Sequence, residues 1–211
     1  MALNLANHFL IDRLVSFVED GCELDLNVKE TPTRVGKPLL HKDENGKVCK
    51  HTWNYRTDVG MSGYLQGSTR PDISMASHQC ARFVNDPKQS HERAMIRLVR
   101  YLKSTKDRGI VFKPKPELGL ECFVDADFTG GWTQADADNP EQVMSRTGYL
   151  LRYAGCPIGW CSKLQSEIAL STAEAEYIAL SQALREVIPL MELLREMHKY
   201  IPSLYLSLIH I

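Results

Sequence analysis

The chain has 211 residues, 44% hydrophobic and 24% charged, an ordinary globular composition that excludes disordered, collagen-like and coiled-coil proteins. No apolar run reaches the roughly 18 residues of a membrane span. The start, MALNLANHFLIDR, lacks the pattern of a secretory signal, and the six cysteines show no framework spacing, so the expected setting is cytoplasmic or nuclear, not secreted. The net charge of −1 hides a split: 19 Lys/Arg against 13 Asp/Glu through Pro116, then 6 against 13 from Glu117 onward. A basic half followed by an acidic half predicts two modules, the first suited to polyanions and the second to cations.

Apolar periodicity predicts a short helix over Phe9–Val18. Asn27–Asn54 carries Pro32, Gly36, Pro38, Asn45 and Gly46 and reads as irregular. Trp53–Gln66 is weakly helical. Thr69-Arg-Pro-Asp72 breaks that segment and starts another helix, Ile73–Val84, which Pro87 closes. The best helix of this half is Gln89–Ser104. Met95, Leu98, Val99 and Leu102 form its apolar stripe, and Arg93, Arg97 and Arg100 fall on the opposite side. Those arginines are either a solvated face or a nucleic-acid-binding face that contacts phosphates.

Lys113-Pro-Lys-Pro116 reads as a linker between a helical segment, 1–113, and a sheet-bearing segment, 117–211. In the latter, Leu120–Asp125, Thr147–Tyr153 and Ile158–Lys163 are strand candidates, the last two joined by a turn at Ala154-Gly-Cys-Pro157. The Gly- and Asp-rich stretch Gly130–Met144 is expected to be a mobile loop. A helix of nearly thirty residues follows, from about Thr172 to about Lys199, with Pro189 facing solvent opposite the apolar stripe.

Two features carry chemistry. Asp125 and Asp127 leave the end of a strand on one face, an oxygen-rich corner suited to Mg²⁺, although Asp at a strand end is often only a turn former. On the long helix, a wheel centred on Leu180 puts Tyr177, Ala183, Leu184, Val187, Met191 and Leu194 in the buried stripe, with Glu176 among them. Glu174 lies off the stripe and fits a capping box with Ser171. Glu176 has no such structural use, and a carboxylate on an apolar face is costly unless paired, for example through a metal shared with Asp125; the alternative is a peripheral Glu that snorkels to solvent from the helix's first turn. His91-Glu92 lacks the second His of a metalloprotease helix. Cys156 and Cys161 lack partners for zinc.

The second half resembles the ribonuclease H domain of copia-type retrotransposon polyproteins. The matching stretches are Phe123-Val-Asp-Ala-Asp-Phe128, Ser145-Arg-Thr-Gly-Tyr149, Pro157-Ile-Gly-Trp160, Ser162-Lys-Leu-Gln-Ser166 and Ala169-Leu-Ser-Thr-Ala-Glu-Ala-Glu-Tyr-Ile-Ala-Leu180. The first half resembles the thumb or connection segment that follows the polymerase palm. Its markers are Tyr55-Arg56, Gly60, Gly63-Tyr-Leu65, Thr69-Arg-Pro-Asp-Ile73, Pro87, His91 and Arg100-Tyr-Leu-Lys103. The resemblance implies an α/β fold, a ribonuclease H-like mixed sheet preceded by a smaller, mostly helical module.

The implied activity is hydrolysis of the RNA strand of an RNA–DNA hybrid, with Mg²⁺ or Mn²⁺ as cofactor. Asp125 and Glu176 match the family's catalytic and metal-binding acids, and Asp127 is a further metal-site candidate. The implied partners are the hybrid itself and the remainder of the polyprotein. No polymerase Tyr-x-Asp-Asp motif precedes the match. The family's later acids have no counterpart after Glu196, so the sheet is expected to be incomplete and the activity impaired, with Leu204–Ile211 left to cover any apolar face. The alternative is a non-catalytic remnant that keeps a nucleic-acid- or subunit-binding surface. Asp125-Ala-Asp127 also resembles the motif of haloacid dehalogenase-type phosphotransferases, but the acidic pair which that family needs downstream is absent.

Overall fold

A computed structural model describes residues 3–22, 27–34, 40–50, 53–115, 117–128 and 143–200. Most of the Gly130–Met144 stretch, Pro116 of the linker and the Leu204–Ile211 tail lie outside the described residues. The chain divides into two compact units, one of Leu5–Ile110 and one of Met1–Asn4 with Val111–Ile211. Two short strands that sequence periodicity did not suggest, β1 (Leu3–Leu5) and β2 (Ile110–Phe112), pair with each other where the chain crosses between the units. At three residues each, they are too short to show alternation.

The helical unit contains α1 (His8–Cys22), α2 (Tyr55–Ser68), a 3₁₀ turn at Pro71–Ile73, α3 (Ser74–Ala81) and α4 (Gln89–Ser104). Asn7 and Asn54 start α1 and α2, each side-chain oxygen accepting a backbone N–H three residues on. Ile11, Leu14, Val15 and Val18 of α1 meet the α4 stripe of Met95, Leu98, Val99 and Leu102 in one core. Phe9, expected on the apolar face of α1, is exposed.

Polar groups stitch this unit together. Arg70 is 1% exposed. Its Nε and Nη2 donate to the two oxygens of Asp72 at 2.9 and 2.7 Å, and its Nη1 and Nη2 donate to the carbonyl and hydroxyl of Thr105 at 3.0 and 2.7 Å. The Tyr101 hydroxyl donates to Asp72 at 2.6 Å, with the guanidinium 5.5 Å from the Tyr101 ring centre. One buried fork thus ties the 3₁₀ turn to the end of α4. Burial alone would raise the Asp72 carboxyl, but the bonds from Arg70 and Tyr101 outweigh it and leave it lowered.

The sheet unit holds three antiparallel strands in the order β3 (Leu120–Asp127), β4 (Arg146–Tyr153), β5 (Cys156–Leu164), and then α5 (Thr172–Tyr200). The β4–β5 turn is two residues long. Ala154 and Gly155 both take positive φ, 51° and 75°, the twist that a two-residue hairpin requires. A register shift opposite Leu151 and Arg152 leaves Ile158 as an extra residue in β5.

α5 packs on β3 and β4. Its buried line is Ala175, Ala179, Ala183, Val187 and Leu194, so Ala183, Val187 and Leu194 of the predicted stripe are buried as expected, while Leu180, Leu184 and Met191 are half-buried and Tyr177 is 73% exposed. A hydropathy wheel weights large side chains, whereas close approach of a helix to a sheet favours alanine. The alanines therefore set the contact line, and the leucines flank it. Glu176 is exposed as well, so the burial cost that singled it out in the sequence is not incurred.

Two stability predictions follow from the helical unit. Arg70→Ala should cost about 3 kcal/mol in denaturant unfolding, the low end for a broken buried pair because Asp72 is 37% exposed. Arg70→Lys should recover only part of this, since an ammonium cannot make the fork. Asp58 of α2 is fully buried, neither carboxylate oxygen has a partner, and burial pushes its carboxyl from 3.8 up to about 8. The folded state therefore holds a proton that the unfolded chain releases, and stability should fall as pH rises from about 4 to about 8. Asp58→Asn should flatten that slope and be the more stable protein above about pH 8, as read by thermal unfolding across pH.

Candidate functional site

β3 brings its acids to the surface by alternation. Val124, Ala126 and Phe128 pack among Ala169, Ala175, Ala179 and Ile178. Asp125 and Asp127 emerge between them on the other face, and both are exposed. Asp125 lies opposite Gly148, and Asp127 opposite Arg146. A methyl group built on Gly148 would meet only the Asp125 backbone oxygen, at 3.8 Å. The surface beside Asp125 is therefore bare backbone, open to a bulky partner.

The first turn of α5 is capped as its sequence suggests, with one shift. The Ser171 hydroxyl accepts from the Glu174 N–H at 3.1 Å, while the Glu174 carboxylate reaches past the cap to accept from the Leu170 N–H at 2.7 Å. Glu174 is thereby used structurally, and Glu176 stands exposed one turn in.

Gln165 joins this turn to the sheet. Its side-chain amide donates to the Thr147 hydroxyl at 3.2 Å and to the Ala175 carbonyl at 2.8 Å, and its backbone N–H bonds to the Ser145 carbonyl at 2.8 Å. Thr147 is the register partner of Ala126. The elements that carry Asp125 and Glu176 thus meet through neighbours of both acids, Ala126 and Ala175. Sequence reasoning did not single out Gln165. The signal was its place in the Ser162–Ser166 stretch, a polar residue directly after an apolar strand.

Among the described residues, no group of three or more His, Cys, Asp or Glu side chains comes together to hold a metal ion. The carboxylates of Asp125, Asp127 and Glu176 have the hard oxygen chemistry that Mg²⁺ prefers, but Asp125 and Asp127 leave the face of β3 opposite to the one packed on α5, and the three do not gather into one group.

In the helical unit, Arg93 is exposed, whereas Arg97 and Arg100 are half-buried and their Nε atoms have no partner. Arg97 donates to the Thr31 hydroxyl at 2.7 Å. The arginine side of α4 is thus more enclosed than a solvated face. His91 and Glu92 are both buried. The His91 Nδ1 accepts from the Lys88 N–H, its ring stacks on Phe83 at 4.0 Å, and the Glu92 carboxylate accepts from Trp53 Nε1 and the Lys50 N–H. Burial pushes the thiols of Cys49, Cys80, Cys122 and Cys161 up, that of Cys80 to about 12, which disfavours the thiolates that nucleophilic chemistry would need.

The chain is 37% identical over 155 residues to the retrovirus-related Pol polyprotein from transposon TNT 1-94 of Nicotiana tabacum, an alignment covering 74% of this chain and 10% of that protein. It is 37% identical over 123 residues, 58% of its length, to the corresponding polyprotein from transposon RE1 of Arabidopsis thaliana, of which it covers 8%. It is also 37% identical over 124 residues, 59% of its length, to the secreted RxLR effector protein 161 of Plasmopara viticola, of which it covers 82%. It therefore spans about a tenth of the length of these transposon polyproteins. No family model and no solved structure matches it. Identity at this level across three quarters of its length relates the chain to retrovirus-related Pol polyproteins from copia-type transposons.

Proposed function

We propose that the sheet unit is a ribonuclease H-like domain whose family chemistry is metal-dependent hydrolysis of the RNA strand of an RNA–DNA hybrid, and that this chain by itself performs it poorly. One arrangement carries the reading. Three antiparallel strands precede a long helix, with an acid at the end of the first strand and another in the first turns of the helix. Gln165 bonds Thr147, the register partner of Ala126, and the Ala175 carbonyl beside Glu176. The Gly148 floor beside Asp125 gives a sugar–phosphate strand room to approach, and recognition there would rest on phosphates and 2′-hydroxyls rather than base edges.

The weakness follows from the acid count. Hydrolysis by paired divalent ions requires enough carboxylates to hold two dications close together. Two or three exposed acids with no third ligand gathered among the described residues hold one hydrated Mg²⁺ weakly. The same observation favours the second reading, a remnant that binds without cutting, with the α4 arginines as its phosphate contacts.

The test is cleavage of a labelled RNA–DNA hybrid by the purified chain, in Mg²⁺ and in Mn²⁺, beside Asp125→Asn and Glu176→Gln. Little or no cleavage in Mg²⁺ is expected, with a trace in Mn²⁺ that both substitutions abolish. Strong Mg²⁺-dependent cleavage lost in both variants would keep the site and overturn the poor-catalyst reading. Cleavage that survives both would reject the site.

A further inference from the structure

The helical unit contains a cavity of about 340 Å³ bounded by Pro32–Arg34, Leu40–Asp43, Ala76, Gln79, Cys80 and the α4 residues Ser90, Arg93, Ala94 and Arg97. That volume lies within the range of small-molecule sites. Among the described residues, Leu40, Ala76, Cys80 and Ala94 form its apolar lining, and its cations are Arg34, Lys42, Arg93 and Arg97 against the single carboxylate of Asp43. Lys42 is engaged by Glu44 at 2.8 Å, and Asp43 accepts from the Ser90 hydroxyl at 2.8 Å. Setting the Lys42–Glu44 pair aside, three guanidiniums and one carboxylate leave the cavity two positive charges in excess.

A second observation points into the same cavity. Gln79 is 1% exposed. Its side-chain oxygen is fixed by two donors, the Leu40 N–H at 3.2 Å and Arg82 Nη1 at 3.2 Å. That bonding settles which end of the amide is the NH₂ group. The Nε2 donor is buried without a partner, as is the Nε of Arg97. Two buried N–H donors left unbonded are costly, and an acceptor-rich anion would satisfy both.

We propose that this cavity is a binding site for a phosphate monoester on a body of about nucleoside size. A dianionic phosphate matches the excess charge, three arginine forks suit its oxygens, and the apolar wall suits a flat body. The site lies within the helical unit and shares no residue with the acids of the sheet unit. It deepens the reading of Arg93 and Arg97 as phosphate contacts and is independent of hydrolysis.

Binding to the full chain is measured by calorimetry with adenosine monophosphate, inorganic phosphate and adenosine at matched ionic strength. A 5′-phosphorylated oligonucleotide and its 5′-hydroxyl counterpart serve as further probes. Adenosine monophosphate is expected to bind one to one and inorganic phosphate to compete with it, with adenosine silent. Preference for the phosphorylated oligonucleotide over its 5′-hydroxyl form would assign the site to strand ends, and binding of the free nucleotide without it would assign the site to mononucleotides. Either supports the phosphate site.

Arg93→Met removes an exposed cation, and Gln79→Glu keeps both bonds to the side-chain oxygen while replacing the free donor with an acceptor. Each should weaken binding about tenfold or more, with thermal unfolding used to verify that both variants fold. Absence of binding by either phosphate probe, affinity unchanged in both folded variants, or equal binding of the two oligonucleotides with none of the mononucleotide would overturn the proposal. The last of these would return the arginines to general backbone contact. A failed cleavage assay would leave this result unaffected.

Discussion

A guanidinium placed where water cannot reach it must have its charge answered and its N–H groups bonded within the protein. Arg70 meets both demands with Asp72, Thr105 and Tyr101, and in doing so it fixes the 3₁₀ turn against the far end of α4. Hydrophobic contact has no direction, and the Arg70 fork adds the direction that places the 3₁₀ turn on the end of α4. Arg70, Asp72 and Tyr101 belong to the stretches Thr69-Arg-Pro-Asp-Ile73 and Arg100-Tyr-Leu-Lys103 that stood out in the sequence, so motifs that read there as family markers are fastenings of the fold. His91, held by the Lys88 N–H and stacked on Phe83, and Tyr55, whose hydroxyl donates to the Cys80 carbonyl, serve in the same way.

The sheet unit solves the same problem with a neutral group. Gln165 bonds one strand and the first turn of one helix at once, and the alanine line of α5 lets the helix lie close enough for those bonds to form. The device matters for chemistry because Thr147 and Ala175 each neighbour a position of interest, Thr147 as the partner of Ala126 and Ala175 in sequence beside Glu176. A carboxylate pair acts on a substrate only when the backbone beneath it is held. Here the holding groups are buried and the acids are exposed, an arrangement that leaves the acids free to meet a ligand.

Much of the fold was legible, for reasons that differ by element. α4 stood out because its large apolar residues recur at helical spacing, and all four predicted stripe residues are buried. The β4–β5 hairpin was legible because only a turn with positive φ fits between those strands, although the turn is Ala154–Gly155 alone and Cys156 and Pro157 already belong to β5. α5 was legible in extent and in most of its buried face, but the contact line runs through Ala175 and Ala179 rather than Tyr177, because alanine carries little hydropathy and decides how near a helix can lie. Glu176 lies on the exposed side of that line, so no burial cost marks it, and only its place in the helix and the resemblance to the family single it out.

The sequence by itself determined the order of elements, the change of charge between the halves, the kinship to transposon polyproteins and which acids sit at a strand end and a helix start. These are properties of local spacing and residue type, which survive without any knowledge of what touches what. Only the tertiary structure decided that Arg70 and Gln165 are fastenings, that Asp58 is buried without a partner, and that Arg93, Arg97 and Gln79 face one cavity. The reason is physical. A buried polar group is defined by partners that lie 35 residues away for Arg70 and Thr105, and 39 for Gln79 and Leu40. No pattern along the chain records a distance of that kind.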